Sequence, residues 1–185
     1  MLNTIQVPAG GFKTILADPP WRFRTWSETN QKKSASRYYA LMTTEEIQAL
    51  PVGEVAAPNC TLFLWVIQPM LQQALDVLTG WGFTYKTVAF VWSKPGIGLG
   101  YWTRSSTEQC WLATRGHPKR RATATGVRQL IEAPTREHSR KPDEQYPRIE
   151  ELVEGPYLEL FARTSYPGWT AWGDESGKWE VQADL

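Results

Sequence analysis

The chain has 185 residues, 42% apolar and 12% aromatic, enough to bury a sizeable core in one domain spanning residues 1–185. No apolar run approaches the ~20 residues of a membrane helix, and no charged-then-apolar leader is present, so a cytoplasmic protein without membrane segments is expected. Two cysteines, two histidines and no CxxC or HxxxH spacing argue against a disulfide framework and a structural metal.

The first predicted element is a buried strand, Phe12-Lys13-Thr14-Ile15-Leu16-Ala17, rich in β-branched and apolar residues. It runs into Asp18-Pro19-Pro20-Trp21, which places a carboxylate at the carboxyl edge of a sheet, where open α/β sheets bind ligands. The prolines fix their own φ and donate no N–H, so they are expected to present stiff carbonyls beside a flat indole. Thr43 and Glu46 form a capping box that opens a short helix closed by Pro51. Thr61–Ile67 reads as a central strand. Pro69 then starts a helix with Leu71, Ala74, Leu75 and Leu78 on one face, ending at Gly80.

Strands are expected at Thr87–Ser93, Glu108–Thr114 and, briefly, Gln129–Ala133. Asp143 begins a helix with Tyr146, Ile149, Leu152 and Val153 inward, and Tyr157–Ala162 is the last strong strand. This βα alternation predicts an α/β fold with a mostly parallel central sheet and helices on both faces. The Gly96, Gly98, Gly100 spacing does not fit a dinucleotide fingerprint, and a loop over the ligand edge is the better reading. Tyr101 and Trp102 within it either touch nucleic acid or pack beneath the loop.

The net charge of +1 hides an asymmetry. From Arg115 to Lys141 there are eight Lys/Arg and two Glu, a local +6 against −5 elsewhere. This stretch, with Lys119, Arg120 and Arg121, is read either as a phosphate-binding loop or as a solvated surface loop. A second, weaker basic loop carries Arg24, Lys32, Lys33 and Arg37.

The signature suits one piece of chemistry. An adenine exocyclic amine is a poor nucleophile because its lone pair is delocalised into the ring. If Asp18 accepts one amine hydrogen and the Pro19 carbonyl the other, the nitrogen pyramidalises and its lone pair is aimed at an electrophile. Trp21 is expected to stack on the base, a contact worth roughly 1–3 kcal/mol. Asp18-Pro19-Pro20-Trp21 resembles the signature of the MT-A family of S-adenosylmethionine-dependent adenine methyltransferases. Further blocks resemble the family in order: Thr61–Val66, Phe90–Lys94, His138–Glu144, Leu158–Arg163 and Pro167–Gly173, covering about Phe12 to Glu175.

The resemblance implies a Rossmann-like methyltransferase fold with permuted motif order, the catalytic signature early and the cofactor strand late. It implies S-adenosylmethionine as cofactor. Glu159, Phe161 and Arg163 would line its ribose and adenine, Lys141 would meet the methionine carboxylate, and Asp18 would neighbour the methionine amine. Asp18, Pro19, Pro20 and Trp21 form the catalytic set. Tyr39 and Trp92 are implied near the substrate, with Lys94 at the rim and Lys119, Arg120 and Arg121 as nucleic-acid contacts. Many relatives carry an asparagine after the closing Trp-Gly, where this chain has Asp174-Glu175, which accept but cannot donate as an amide does. Ser165 stands where some relatives have another asparagine. His138 is a candidate base, yet transfer needs none beforehand, because the product nitrogen becomes acidic only after methylation.

The expected reaction is methyl transfer to the 6-amino group of adenine in nucleic acid, DNA ahead of RNA. It requires an unpaired or flipped base at a cost of a few kcal/mol. Without a separate target-recognition domain, specificity is expected to be short or supplied by a partner subunit or a homodimer. Rival readings are a non-catalytic nucleic-acid-binding subunit and methylation of a free small amine.

Overall fold

The computed structural model describes residues 5–23, 41–96, 98, 102–173 and 179–180. The strands are β1 (Phe12–Ala17), β2 (Ala56–Val66), β3 (Thr84–Ser93), β4 (Thr107–Arg115), β5 (Leu130–Glu132), β6 (Tyr157–Leu160), β7 (Thr164–Ser165), β8 (Trp169–Trp172) and β9 (Trp179–Glu180). The helices are α1 (Thr44–Gln48), α2 (Val52–Val55), α3 (Leu71–Gly80) and α4 (Gln145–Leu152), with single 3₁₀ turns at Gln68–Met70 and Glu137–Ser139.

Seven strands form one sheet in the order β5-β3-β4-β2-β1-β6-β8, while β7 and β9 pair separately. All neighbours in the large sheet are parallel except β4, which runs antiparallel to β2 and β3. The expected mostly parallel α/β sheet is therefore present.

Two apolar layers sandwich it. On one face, Ile47, Val52, Ala74, Val77, Leu78 and Trp81 pack on Ile15, Leu62, Leu64 and Leu158. On the other, Tyr146, Ile149 and Val153 meet Leu16, Phe63, Trp65, Phe90 and Trp92. Side chains at successive strand positions alternate between these layers, as the pleat requires.

The Thr43–Glu46 capping box forms in both directions, at 2.8 and 3.2 Å. The α3 face differs from the sequence expectation: Ala74, Val77 and Leu78 are buried, whereas Leu71 and Leu75 are exposed. Trp81 sets this rotation, because its buried indole donates to the Ile47 carbonyl at 3.0 Å and draws the 74/77/78/81 stripe inward. β6 stops two residues before the expected end, since Phe161 turns the chain with φ 61°. Residues 169–172, not anticipated as a strand, add β8 to the sheet edge. Gly173 ends β8 against the Ala162 backbone, where a Cβ would collide.

Candidate active site

The chain leaves β1 toward β2 on one side, and leaves β6 toward β8 on the other. Such a divergence opens a crevice at the carboxyl ends of the two strands, the place where open α/β sheets take ligands. Ala17 pairs with Leu160 as the last rung, so Asp18 and Phe161 emerge side by side although far apart in sequence. A pocket of about 410 Å³, counting its open mouth, lies there. Asp18, Lys141, Glu159, Phe161 and Arg163 line it, together with Leu16, Trp65, Arg140, Asp143, Gln145, Tyr146 and Thr164.

Charge organises this pocket. The Lys141 ammonium donates to both Asp18 oxygens, at 2.8 and 2.7 Å, and lies 3.4 Å from Glu108 Oε2. Glu108 also pairs with Lys94, and Arg163 Nη2 sits 4.0 Å from Asp18 Oδ2. Burial opposes the charge on Lys141, but the Asp18 and Glu108 carboxylates outweigh it and hold its pKa above the ordinary value. Burial likewise works against ionised Glu108, yet Lys141 and Lys94 bring its pKa down. Two indoles floor the pair: Lys141 Nζ is 5.5 Å from the Trp65 ring centroid and Lys94 Nζ 4.4 Å from that of Trp92.

Glu159 behaves differently. It points into the pocket from the middle of β6 and accepts a hydrogen bond from the Tyr146 hydroxyl at 3.0 Å. Burial dominates and pushes its pKa up to about 8; the Tyr146 bond pulls the other way and the Asp18 charge adds to the rise. Two carboxylates lining one crevice thus meet different surroundings: Asp18 lies beside cations, whereas burial raises the Glu159 pKa well above the ordinary carboxylate range.

Backbone strain collects at the same place. Phe161 and Ser139 are the non-glycine residues with positive φ among those described, at 61° and 60°. Phe161 lines the pocket, and the Ser139 carbonyl lies 3.5 Å from Lys141 Nζ. A left-handed conformation at a side-chain-bearing residue costs on the order of 1–3 kcal/mol and concentrates at ligand sites.

Several expectations for individual side chains are corrected here. Trp21 is an anchor instead of an open stacking face. It is 4% exposed, and its indole donates to the Trp65 carbonyl at 3.1 Å. Trp92 is fully buried and donates to the Ala133 carbonyl at 2.8 Å, so its face is closed to a base. The Pro19 carbonyl already accepts from the Trp21 N–H and the Pro20 carbonyl from the Met42 N–H, both at 2.9 Å. Pro20 therefore stitches the signature to residues beyond it, and Pro19 retains one lone pair. Ser165 is exposed outside the pocket, whose lining includes its neighbour Thr164.

The basic stretch is split by the fold. Arg115, at the end of β4, pairs with Cys60 in the amino-terminal half of β2, so the chain leaves the sheet at the edge opposite Asp18. Arg121 donates from its backbone N–H to the Leu152 carbonyl and from Nε to the Val153 carbonyl, at 2.8 and 3.0 Å, covering the carboxyl end of α4. Arg120 bonds the Ala124 carbonyl. Lys119, Arg120 and Arg121 thus sit at the amino edge, contrary to their expected place beside the substrate. Only the far end of the stretch returns to the crevice, where Arg136 and Arg140 clasp Asp143 beside Lys141.

Glu108, Trp65, Arg140, Asp143, Gln145 and Tyr146 went unassigned in the sequence. Trp65 and Gln145 are joined by a 2.7 Å hydrogen bond across the pocket wall, a contact 80 positions apart with no local signal. Tyr39, Asp174 and Glu175 lie outside the described residues, as do Arg24, Lys32, Lys33, Arg37, Gly100, Tyr101 and the His138 side chain. Among the described residues no cluster of three His, Cys, Asp or Glu forms a metal site, and no helix is long and apolar enough to cross a membrane.

The MT-A70 family model matches residues 12–175, which include every strand of the large sheet and the whole crevice. The chain belongs to the MT-A70 family. It is 33% identical to the "Type II methyltransferase M.MunI" of Mycoplasma sp, over 92% of this chain and 80% of that protein. It is 31% identical to the "N(6)-adenosine-methyltransferase MT-A70-like" protein of Arabidopsis thaliana and 29% to the "N(6)-adenine-specific methyltransferase METTL4" of Homo sapiens. Those matches take in 90% and 91% of this chain but only 24% and 38% of the two eukaryotic proteins.

Proposed function

We propose that this MT-A70 protein transfers a methyl group from S-adenosylmethionine to the N6 amine of adenine in nucleic acid, with DNA ahead of RNA. The observation that carries the reading is Asp18, set at the β1/β6 crevice among Lys141, Glu159 and Arg163 in a chain of this family. The preference for DNA rests on the similarity to the Type II methyltransferase, which extends over most of both proteins.

The donor set suits such a cofactor. Asp18 matches an α-ammonium, Lys141 and Arg163 a carboxylate, Glu159 with Tyr146 a ribose diol, and the Phe161 ring an adenine. When bound, the cofactor supplies an electrophilic methyl group on a positively charged sulfur. The chain's own work is to bind and orient. Asp18 has two oxygens and four lone-pair sites, enough to accept from a cofactor ammonium and from one hydrogen of the target amine. The remaining lone pair of the Pro19 carbonyl takes the other hydrogen. Trp21, locked to the Trp65 carbonyl, holds both acceptors in fixed relation instead of touching the base. No group need accept a proton before transfer.

Incorporation of labelled methyl groups into single- and double-stranded DNA and RNA by the purified chain tests this reading. Transfer to adenine N6, fastest on DNA, is expected. Cofactor binding without transfer to any of the four substrates would support the rival, a non-catalytic nucleic-acid-binding subunit.

A further inference from the structure

Trp102 stands apart from the other tryptophans. It is 93% exposed, whereas Trp21, Trp65, Trp81, Trp92, Trp111 and Trp169 are each 8% exposed or less. It does not pack beneath its own loop. An indole held in water forgoes the burial that usually stabilises it, and tryptophan in that position is characteristic of contact surfaces.

The fold carries this residue to the ligand edge. β4 runs antiparallel to both β2 and β3, so the link from Ser93 to Thr107 turns over at the edge that bears Asp18. The two legs of the link stay together. The Lys94 N–H donates to the Ser106 carbonyl at 2.8 Å, and a Cβ on Gly98 would collide with the Ser105 carbonyl oxygen, an approach only glycine admits. Trp102 thus lies on an arm that the sheet holds at both ends. Glu108, six residues on, touches Lys141 in the pocket wall, so Trp102 stands at most about 20 Å from the crevice wall.

Charge says what the arm fits. From Lys94 to Thr107 the chain carries Lys94 and Arg104 and no Asp or Glu. Arg104 is exposed, two residues from Trp102. An indole face beside a guanidinium, on an arm without acidic residues, matches a strand of nucleic acid: the ring meets a base and the cation a phosphate. Trp21 and Trp92, both buried, offer no such face.

We propose that Trp102 is a stacking platform for a base of the substrate strand outside the crevice, with Arg104 on an adjoining phosphate. This rests on the nucleic-acid methyltransferase reading above and adds the surface that holds the strand beside the target adenine.

Fluorescence anisotropy with a labelled single-stranded DNA containing a single adenine, in the presence of S-adenosylhomocysteine, tests it. Trp102→Ala should weaken binding about 5- to 100-fold, the range of a lost base–indole stack. Trp102→Phe should keep most of the wild-type affinity. Trp102→Leu, apolar but without a ring, should lose as much as Trp102→Ala. The salt dependence should keep its slope in all three, whereas Arg104→Ala should lower that slope by roughly 0.7. S-adenosylhomocysteine affinity and thermal midpoint should stay at their wild-type values throughout. Trp102→Ala affinity within about twofold of wild type, or full retention by Trp102→Leu, overturns the proposal. So does a wild-type dimer in sedimentation that Trp102→Ala converts to monomer, which would seat a second copy on the arm. Ring-dependent binding by a chain that methylates no substrate would leave the Trp102 contact standing and remove the proposed reaction. Methylation by Trp102→Ala at the wild-type KM would do the reverse.

Discussion

The two edges of the sheet carry similar kinds of side chain and use them in opposite ways. At the amino edge, Arg120 and Arg121 spend their donors on backbone carbonyls, which finishes α4 and pins a loop. At the carboxyl edge, Lys141 and Arg163 meet Asp18 inside the crevice and Lys94 meets Glu108 beside it, where low dielectric makes each charge matter. Charge density along the chain points to the first group as strongly as to the second. What separates them is whether a cation faces main-chain oxygens at an element's end or ionised side chains beside a cavity.

The sharpest way to break this comparison is to remove the carboxylate that defines the carboxyl edge. Asp18→Ala should reduce labelled-methyl transfer by at least about 10³-fold, since it deletes an acceptor and removes one of the two carboxylates that hold the buried Lys141. Comparable turnover by that variant would end the assignment of the site. Next comes Trp21. Trp21→Ala should lose about 3–5 kcal/mol of stability in denaturant titrations, the toll of emptying a buried indole. Trp21→Phe should lose about 1–3 kcal/mol, because it keeps the packing and leaves the Trp65 carbonyl unpaired. If Trp21 were instead an open stacking face, both variants would fold normally and raise KM alone.

Glu159 gives a pH test with a definite sign. Its folded pKa of about 8 lies above the ordinary carboxylate value of 4.5, so the native state holds a proton the unfolded chain releases. The stability it contributes is complete below about pH 4.5 and is lost as pH rises through about 8. In between, this one group should lower stability by up to about 1.4 kcal/mol per pH unit, and Glu159→Gln should flatten the dependence. Smallest of all, Lys119→Ala/Arg120→Ala should leave kcat within about twofold of wild type and change the salt dependence of oligonucleotide binding by less than one unit of slope. A larger effect would bring the amino edge into the substrate's path and erase the distinction between the edges.

Local features were legible from the chain alone because their causes are local. A β-branched run ending in Asp-Pro-Pro specifies a strand with a carboxylate at its carboxyl end, and Thr43 with Glu46 writes its own helix start. The order of motifs likewise marked Lys141, Glu159, Phe161 and Arg163, all of which line the crevice. The directions in which the tryptophans point were decided elsewhere. An indole offers both a stacking face and an N–H, and only the positions of the Trp65 and Ala133 carbonyls, 44 and 41 residues from their donors, settle which is used. The same holds for charge. Sequence counts the lysines, but only the folded chain brings Lys141, from the loop before α4, to Asp18 across 123 positions, and the antiparallel run of β4 carries the Lys119–Arg121 stretch to the far edge. Pairings of that range are set by how the sheet closes, and no window of neighbouring residues contains them.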